Sequence, residues 1–93
     1  SPTDGPARMA DLRQRLDRIL RGLQARQRTI FALRILEEWS LNEIAASLQV
    51  DVGTVKTHLF RAVRRVRAEL EGQDLRGLRT AFPVAAALPE SMP

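Results

Sequence analysis

Between Ala7 and Gly72, apolar residues recur at the three- and four-residue spacing of α-helices almost without a break. No segment in this stretch alternates apolar and polar side chains, as a half-buried β-strand would. A chain with this periodicity has to bury helix faces against other helices. We therefore expect an all-α domain of four helices that ends in a helix-turn-helix and has no winged β-elements.

Three regions of the chain differ in composition. Residues 1–6 are punctuated by proline and glycine and are expected to form a flexible lead-in. Residues 7–72 form the helical domain. Residues 73–93 contain prolines and a run of alanines, which predicts a tail or linker. Leu78 and Phe82 nevertheless have the spacing of a short amphipathic turn that docks on the domain or on a partner.

The first two helices differ in how widely their apolar residues spread. The first is expected over about Ala7 to Arg21, with Gly22 as its stop. The second covers about Ala25 to Glu38, and its apolar residues are distributed too broadly for a surface helix. We therefore expect the second helix to be the central element of the core.

Two capping patterns mark the starts of the third and fourth helices. Ser40 and Glu43 form an S-x-x-E capping box before the short third helix. Asp51 is the expected cap of the fourth helix, which is expected to continue to about Leu70 or Glu71 and to stop near Gly72. Gln49 lies between these helices, at a turn position where the chain needs a positive φ and where glycine is the easier residue.

The charge balance indicates an anionic partner. Fifteen Lys and Arg residues face eleven Asp and Glu residues, which gives a net charge of +4, and fourteen of the fifteen cations are arginines. Guanidinium groups bind phosphates and base edges through paired hydrogen bonds. A small basic domain of this kind fits nucleic acid, an anionic membrane surface or an acidic protein.

Composition also excludes several kinds of site. The chain contains no cysteine, which rules out disulfides and Cys-ligated metals, and its single histidine, His58, rules out a multi-histidine metal site. No nucleophile–base pair or phosphate-binding glycine loop is present, so we expect neither an enzyme, nor a cofactor, nor a small-molecule substrate. The longest uncharged run, residues 80–89, contains two prolines, so no segment is expected to span or contact a membrane. The lack of a signal segment predicts a cytoplasmic protein.

The fourth helix has two contrasting faces. Seven apolar residues share one stripe: Val52, Val55, Leu59, Ala62, Val63, Val66 and Leu70. The opposite face carries small hydroxyl residues near the helix start and arginines further along. A helix in the major groove needs side chains that reach base edges in its first turns and cations that meet phosphates later. Phe60 lies off the apolar stripe, where it either contacts DNA or covers a gap beside the first helices.

The stretch Leu23–Leu70 resembles region 4 of bacterial sigma-70 family factors, and most closely the small extracytoplasmic-function (ECF) group. The motifs that carry the resemblance are ARQR at Ala25–Arg28, SLNEIA at Ser40–Ala45 and VGTVK at Val52–Lys56, followed by the arginine ladder of Arg61, Arg64, Arg65 and Arg67. Two positions depart from the family pattern. Gln24 stands where the family usually has proline, and Gln49 replaces the usual turn glycine.

The resemblance implies partners and residue roles. Region 4 binds the −35 promoter element, docks on the flap of the RNA polymerase β subunit and is a usual target of anti-sigma factors. The residues expected to read bases are Thr54, Lys56, Thr57, Phe60 and Arg61. The residues expected to contact DNA phosphates are Arg26, Arg28, Ser40, Asn42, Arg64, Arg65 and Arg67.

Two other functions stay open on the sequence alone. A LuxR/FixJ-type output domain also has an E-I-A helix and a T-V-K-T-H-L helix start, and it would bind its DNA site as a dimer. A helical module whose main partner is a protein would fit the apolar second helix and the unusual C-terminal segment.

Overall fold

Five α-helices and one π-helical turn make up most of the residues that the structure, a computed structural model, describes, namely 6–70 and 75–84. The helices are α1 (Pro6–Arg21), α2 (Ala25–Phe31), α3 (Leu41–Leu48), α4 (Val52–Leu70) and α5 (Leu75–Ala81), and the π turn spans Ala32–Leu36. No strand occurs in 6–70 or 75–84, so the predicted all-α architecture is confirmed. Residues 1–5 of the predicted lead-in and the predicted stop at Gly72 lie outside the described residues.

Helix α1 ends where the sequence predicts. Its last turn tightens through bonds from the Gly22 N–H to the Ile19 carbonyl and from the Leu23 N–H to the Leu20 carbonyl, both 3.0 Å long. These bonds satisfy carbonyl groups that the end of a helix leaves without an intrahelical partner. The apolar stripe of α1 is buried and consists of Leu12, Leu16 and Leu20, with Leu23 following in the turn.

The sequence predicts a continuous second helix to about Glu38, and this prediction is wrong. Helix α2 ends at Phe31, and the chain changes at Ala32 into a π turn. The Glu37 N–H bonds to the Ala32 carbonyl five residues back, at 3.1 Å. Glu38 then adopts a left-handed conformation with φ of 59°. Such a conformation is rare for a residue other than glycine, and it turns the chain sharply out of the helix.

Contacts within the turn hold the chain on its way from the π turn to α3. The Trp39 N–H donates to the Leu33 carbonyl at 2.9 Å, and Arg34 Nη1 donates to the Trp39 carbonyl at 2.9 Å. The Ser40–Glu43 capping box then opens α3 and is confirmed in both directions: the Glu43 N–H donates to Ser40 Oγ at 3.0 Å, and the Ser40 N–H donates to Glu43 Oε1 at 2.7 Å. These bonds set the direction in which α3 leaves the turn.

The turn of the helix-turn-helix is closed by a Schellman motif. Gln49 has φ of 58° and ψ of 45°, the left-handed conformation that the sequence pattern demands. The Val50 N–H donates to the Ala45 carbonyl at 3.1 Å, and the Gln49 N–H donates more weakly to the Ala46 carbonyl at 3.4 Å. The turn thus keeps the geometry that glycine usually provides, at the conformational cost of a side chain.

We expect Gln49→Gly to stabilise the protein by about 0.5–1 kcal/mol, because glycine adopts a positive φ without strain. The matched control is Gln24→Gly, since Gln24 has an ordinary φ of −59°. There the same replacement is expected to cost about 0.5–1 kcal/mol through unfolded-chain entropy. Urea unfolding of the two variants measures both changes, and a loss of stability in Gln49→Gly would contradict the strain assigned to Gln49.

Helix α5 lies within the segment predicted to be a tail or linker, and for residues 75–84 the structure differs from that expectation. Leu78 is only 4% exposed and belongs to the core. Helix α5 packs on α1 closely enough that a Cβ atom at Gly77 would lie 3.3 Å from Leu12 Cδ2. The Arg13 guanidinium stacks over the Phe82 ring, 5.5 Å from its centre. Residues 75–84 therefore dock on the domain, which was the alternative expected from the spacing of Leu78 and Phe82. Residues 71–74 and 85–93 lie outside the described residues.

The core is centred on the contact between α2 and α4, with α3 and α1 packed against the same helix α4. Its largest fully buried side chains are Phe31, Ile30, Ile35, Ile44, Leu70, Val55 and Val66. Within the described residues, no polar or charged residue is buried. The core is therefore held by apolar packing, and α1, α2 and α3 all pack against α4.

Candidate nucleic-acid interface

Helix α4 buries the apolar stripe that the sequence predicts. Six of the seven stripe residues are buried: Val55, Leu59, Ala62, Val63, Val66 and Leu70. The seventh, Val52, is half-buried at the first position of the helix. Because one face of α4 is covered in this way, its other face is held outward along the roughly 28 Å that a helix of this length spans.

The outward face of α4 is strongly cationic. Helix α4 carries five Lys and Arg residues against a single acidic residue, Glu69. Among the predicted DNA contacts on α4, four cations and one hydroxyl residue are exposed: Lys56, Arg61, Arg64, Arg65 and Thr57. Thr54, Phe60 and Arg67 are half-buried. The predicted base-reading residues are therefore all at least partly accessible. Thr54 and Phe60 among them, and the predicted phosphate contact Arg67, are partly covered.

The first turn of α4 is fixed by its cap. The Thr54 N–H donates to Asp51 Oδ1 at 2.9 Å, which confirms Asp51 as the cap. One turn later, Thr57 Oγ1 donates to the Gly53 carbonyl at 3.1 Å, so the Thr57 hydroxyl keeps its acceptor capacity and its methyl group for a ligand. Hydrogen bonds from Thr54, from its side chain first and then from its backbone N–H, lower the pKa of Asp51 below its ordinary value.

This lowered pKa predicts an acid-dependent loss of stability that Asp51→Asn removes. A carboxyl whose pKa is lower in the folded state stabilises the fold above its ordinary pKa of about 4, and the contribution is lost as the pH falls through the folded value. Asparagine caps helices equally well but does not titrate in this range. The wild-type protein should therefore lose stability relative to Asp51→Asn as the pH falls from about 5 into the range below the ordinary carboxyl pKa of about 4.

Thermal unfolding of the two proteins across that window measures this difference. Glu43→Gln is the control for removal of a capping carboxylate at another helix. It changes the capping box of α3 and leaves the α4 cap intact. Parallel unfolding midpoints for wild type and Asp51→Asn at every pH would rule out the linkage.

The remaining predicted phosphate contacts flank α4 at the starts of two other helices. Arg26 is exposed and Arg28 half-buried in the first turn of α2, and both Ser40 and Asn42 are exposed at the start of α3. The Ser40 N–H is already used within the capping box, where the Ser40 hydroxyl oxygen accepts a bond and keeps its own proton to donate. Since the first N–H groups of a helix lack intrahelical acceptors, the donors left for an anion at this end are the Ser40 hydroxyl and backbone N–H groups after Ser40.

The sequence reasoning assigned no role to Gly53, whose surroundings are open. A Cβ atom built at Gly53 would meet no other atom within 4 Å, and its φ is not positive. Neither packing nor backbone conformation therefore requires glycine at this exposed position of α4. The sequence offered one signal for this position: glycine stands within a predicted helix, although alanine is more favourable in helices by about 1 kcal/mol.

Metal-binding clusters and membrane-spanning helices are both absent from the described residues. They contain no group of three or more His, Cys, Asp or Glu residues arranged to hold a metal ion. None of the helices in 6–70 and 75–84 combines the length and apolarity needed to cross a membrane.

Comparison with known proteins agrees with this geometry. The family model described as sigma-70, region 4 matches residues 13–66. The chain is 47% identical over 57 residues to an RNA polymerase sigma-E factor from Streptomyces avermitilis, covering 61% of the chain and 32% of that relative. It is 40% identical over 75 residues to the RNA polymerase sigma-E factor of Streptomyces coelicolor, covering 81% of the chain and 42% of the relative.

A third relative comes from another genus. The RNA polymerase sigma factor SigV of Bacillus subtilis is 40% identical over 65 residues, covering 70% of the chain and 37% of that relative. The chain thus spans well under half the length of these curated relatives. No solved structure matches it significantly.

The matched region contains α2, α3, the turn and most of α4, together with the C-terminal half of α1. It includes the motifs on which the resemblance to region 4 of an ECF-type factor rested, except for Arg67 at the end of the arginine ladder, and that resemblance is confirmed. The chain belongs to the sigma-70 region 4 family of bacterial sigma factors.

Proposed function

We propose that this domain recognises the −35 element of promoter DNA as part of a cytoplasmic RNA polymerase sigma factor, with no catalytic activity of its own. The observation that carries the proposal is the outward face of α4, which is cationic and accessible while the opposite face is buried. Its first three turns present Thr54, Lys56, Thr57, Phe60 and Arg61 to base edges. Family membership supports the same function.

Phosphate contacts hold the domain in register on the duplex in this proposal. Arg64, Arg65 and Arg67 lie along the later turns of α4, where a helix leaving the major groove meets the sugar–phosphate backbone. Arg26 and Arg28 provide charge at the start of α2, and Ser40 and Asn42 mark the helix N-terminus of α3. These contacts supply affinity without sequence information.

The protein partners of the proposal are the β flap of RNA polymerase and an anti-sigma factor. An open cleft of about 330 Å³ between α1, the π turn and the segment after α5 has room for an apolar side chain of a partner. Its lining is mostly apolar and consists of Leu16, Leu20, Leu36 and Phe82, with Arg13 and Asp17 at the edge. This mixture of apolar area and a charged rim is typical of protein–protein contacts.

Selection from a pool of randomised duplexes at about 50 mM salt tests DNA recognition, since weak specific binding is easiest to detect at low ionic strength. We expect one asymmetric motif to be enriched and one protein molecule to bind each duplex in sedimentation. Enrichment of a palindrome that binds two copies would instead favour a LuxR/FixJ-type mode. Absence of any preferred sequence would refute the proposal.

Binding to an immobilised β-flap fragment tests the protein contact. Arg13→Glu changes the edge of the cleft and is expected to weaken flap binding several-fold, without changing the sequence preference on DNA. Arg18→Glu is the matched control, because Arg18 is exposed on the same helix, lies outside the lining of this cleft and makes no ion pair within 6–70 and 75–84. Equal effects of the two reversals would place the docking surface elsewhere.

A further inference from the structure

A second cleft, between α1 and α4, has a lining rich in arginine. It has a volume of about 340 Å³ and is lined by Arg15, Arg18, Ile19 and Gly22 from α1 and the turn after it, and by Arg65 and Glu69 from α4. Three guanidinium groups against one carboxylate give this lining a formal charge of +2. An open cleft with this charge favours an anionic ligand.

The geometry of Arg65 leaves its terminal nitrogens available to such a ligand. Its Nε donates to Glu69 Oε2 at 3.0 Å, one turn further along α4. The other end of the guanidinium reaches α1, since a Cβ atom at Gly22 would lie 3.6 Å from Arg65 Nη2. Within the described residues, the two terminal nitrogens of Arg65 have no acceptor. Glu69 thus orients the group without using the pair of donors that best matches a phosphate.

Arg18 faces the same cleft from α1 and is exposed. It makes no hydrogen bond or ion pair with any part of the chain that the structure describes. The neighbouring cation of the helix end, Arg21, is by contrast paired with Asp17 at 2.8 Å and lies outside the cleft. Of these two arginines at the end of α1, Arg18 therefore brings the guanidinium that is not paired within the described residues, and it lines the cleft.

The cleft continues the cationic face of α4. Arg61 and Arg65 are four residues apart on that helix, which places them on the same side and about 6 Å apart along its axis. A phosphate backbone that follows the outward face of α4 past Arg61 therefore reaches the cleft next.

We propose that this cleft binds a phosphate group, held by Arg18 of α1 and the terminal nitrogens of Arg65 of α4. The phosphate comes either from the DNA backbone, one turn beyond the base-reading residues, or from a free polyphosphate. The first source rests on the function proposed above, and the second does not. In both cases α1 adds an anion contact to a surface otherwise built by the helix-turn-helix.

The test compares Arg18→Ala with Arg21→Ala in the 93-residue chain. Both replacements remove one exposed arginine from the last turn of α1, so their effects on net charge and on the helix dipole are matched. The first assay measures affinity for a duplex, of any sequence, as a function of salt. Loss of one phosphate contact should reduce the slope of log K against log salt by about 0.9 in Arg18→Ala and leave it unchanged in Arg21→Ala.

The second assay titrates inorganic pyrophosphate into each protein and follows the Arg side-chain Nε–H resonances by NMR. A shift at Arg65 that is lost in Arg18→Ala but kept in Arg21→Ala supports the cleft. If this shift is found while the DNA slopes of the variants agree, the ligand is a free polyphosphate. A change of the DNA slope in Arg18→Ala alone, with or without that shift, assigns the phosphate to DNA.

Equal behaviour of Arg18→Ala and Arg21→Ala in both assays would overturn the proposal. The result is separable from failure of promoter recognition, because neither assay depends on sequence preference. A chain that binds duplexes without preference and still shows the Arg18-dependent slope would refute −35 recognition and keep the cleft. Urea unfolding of both variants checks that neither replacement has changed the fold.

Discussion

Phe31→Ala is expected to lower the free energy of unfolding by about 3–5 kcal/mol, the largest loss for a single side chain in this domain. Phe31 is 1% exposed and stands at the last position of α2, directly before the π turn. Alanine would remove the ring from the packing of α2 against α4 and leave a cavity that the rigid turn cannot close. Domains of this size have about 5–15 kcal/mol in total, so the variant should lose a third or more of its stability unless the wild type is near the upper end of that range.

Phe31→Leu separates loss of volume from loss of the aromatic ring. Leucine fills most of the site and is expected to cost less than about 1.5 kcal/mol. Phe60→Ala provides the second comparison, because Phe60 is half-buried on α4 and its ring is partly in water already. Urea unfolding followed by circular dichroism measures all three proteins. A loss for Phe31→Ala no larger than that for Phe60→Ala would show that Phe31 is not central to the core.

The capping residues and the buried stripe of α4 could be predicted because their signals are local. Ser40 and Glu43 are three residues apart in sequence and bond to each other in the fold. Asp51 caps the helix that follows it immediately. The stripe of α4 depends only on helical periodicity, so a list of apolar residues at that spacing already identifies the side that is covered.

The π turn and the docking of α5 could not be predicted because they depend on tertiary contacts. Ala32 and Glu37 carry no feature that favours a bond over five residues, and Glu38 has none of the usual preference for a positive φ. The broad apolarity of this stretch looks the same in an α-helix and in a π turn. Leu78 has a weak signal in a segment of glycine and proline, and only contact with α1 explains its burial.

The candidate interface shows the same division between local and tertiary information. Periodicity alone predicts that Lys56 and Arg61 point away from the core, and both are exposed. The half-buried state of Phe60 depends on which elements lie beside α4, which periodicity does not contain. The sequence also separates Arg18 from Arg65 by about half of the chain, so their common cleft was visible only in the fold.

Arg61 is the residue whose loss should change sequence recognition most. It is exposed on the same face as Thr57, one turn after it, and within reach of base edges if α4 enters the major groove. A guanidinium that bonds to the two acceptors of a guanine contributes about 1–3 kcal/mol of discrimination against other bases. Lysine keeps the charge but loses the planar pair of donors.

Arg61→Ala should therefore reduce discrimination at one base pair of the selected site by about 1–3 kcal/mol, roughly 5- to 150-fold. Arg61→Lys should lose much of that discrimination while the salt dependence of binding stays close to that of wild type, because the charge is kept. Arg64→Ala should do the reverse, weakening all sequences alike and flattening the log K against log salt slope by about 0.9. Fluorescence anisotropy with the selected duplex and its single-base variants measures these effects. If Arg61→Ala and Arg64→Ala weaken every duplex equally, Arg61 contacts the backbone, and base reading must come from the other predicted reading residues, Thr54, Lys56, Thr57 and Phe60.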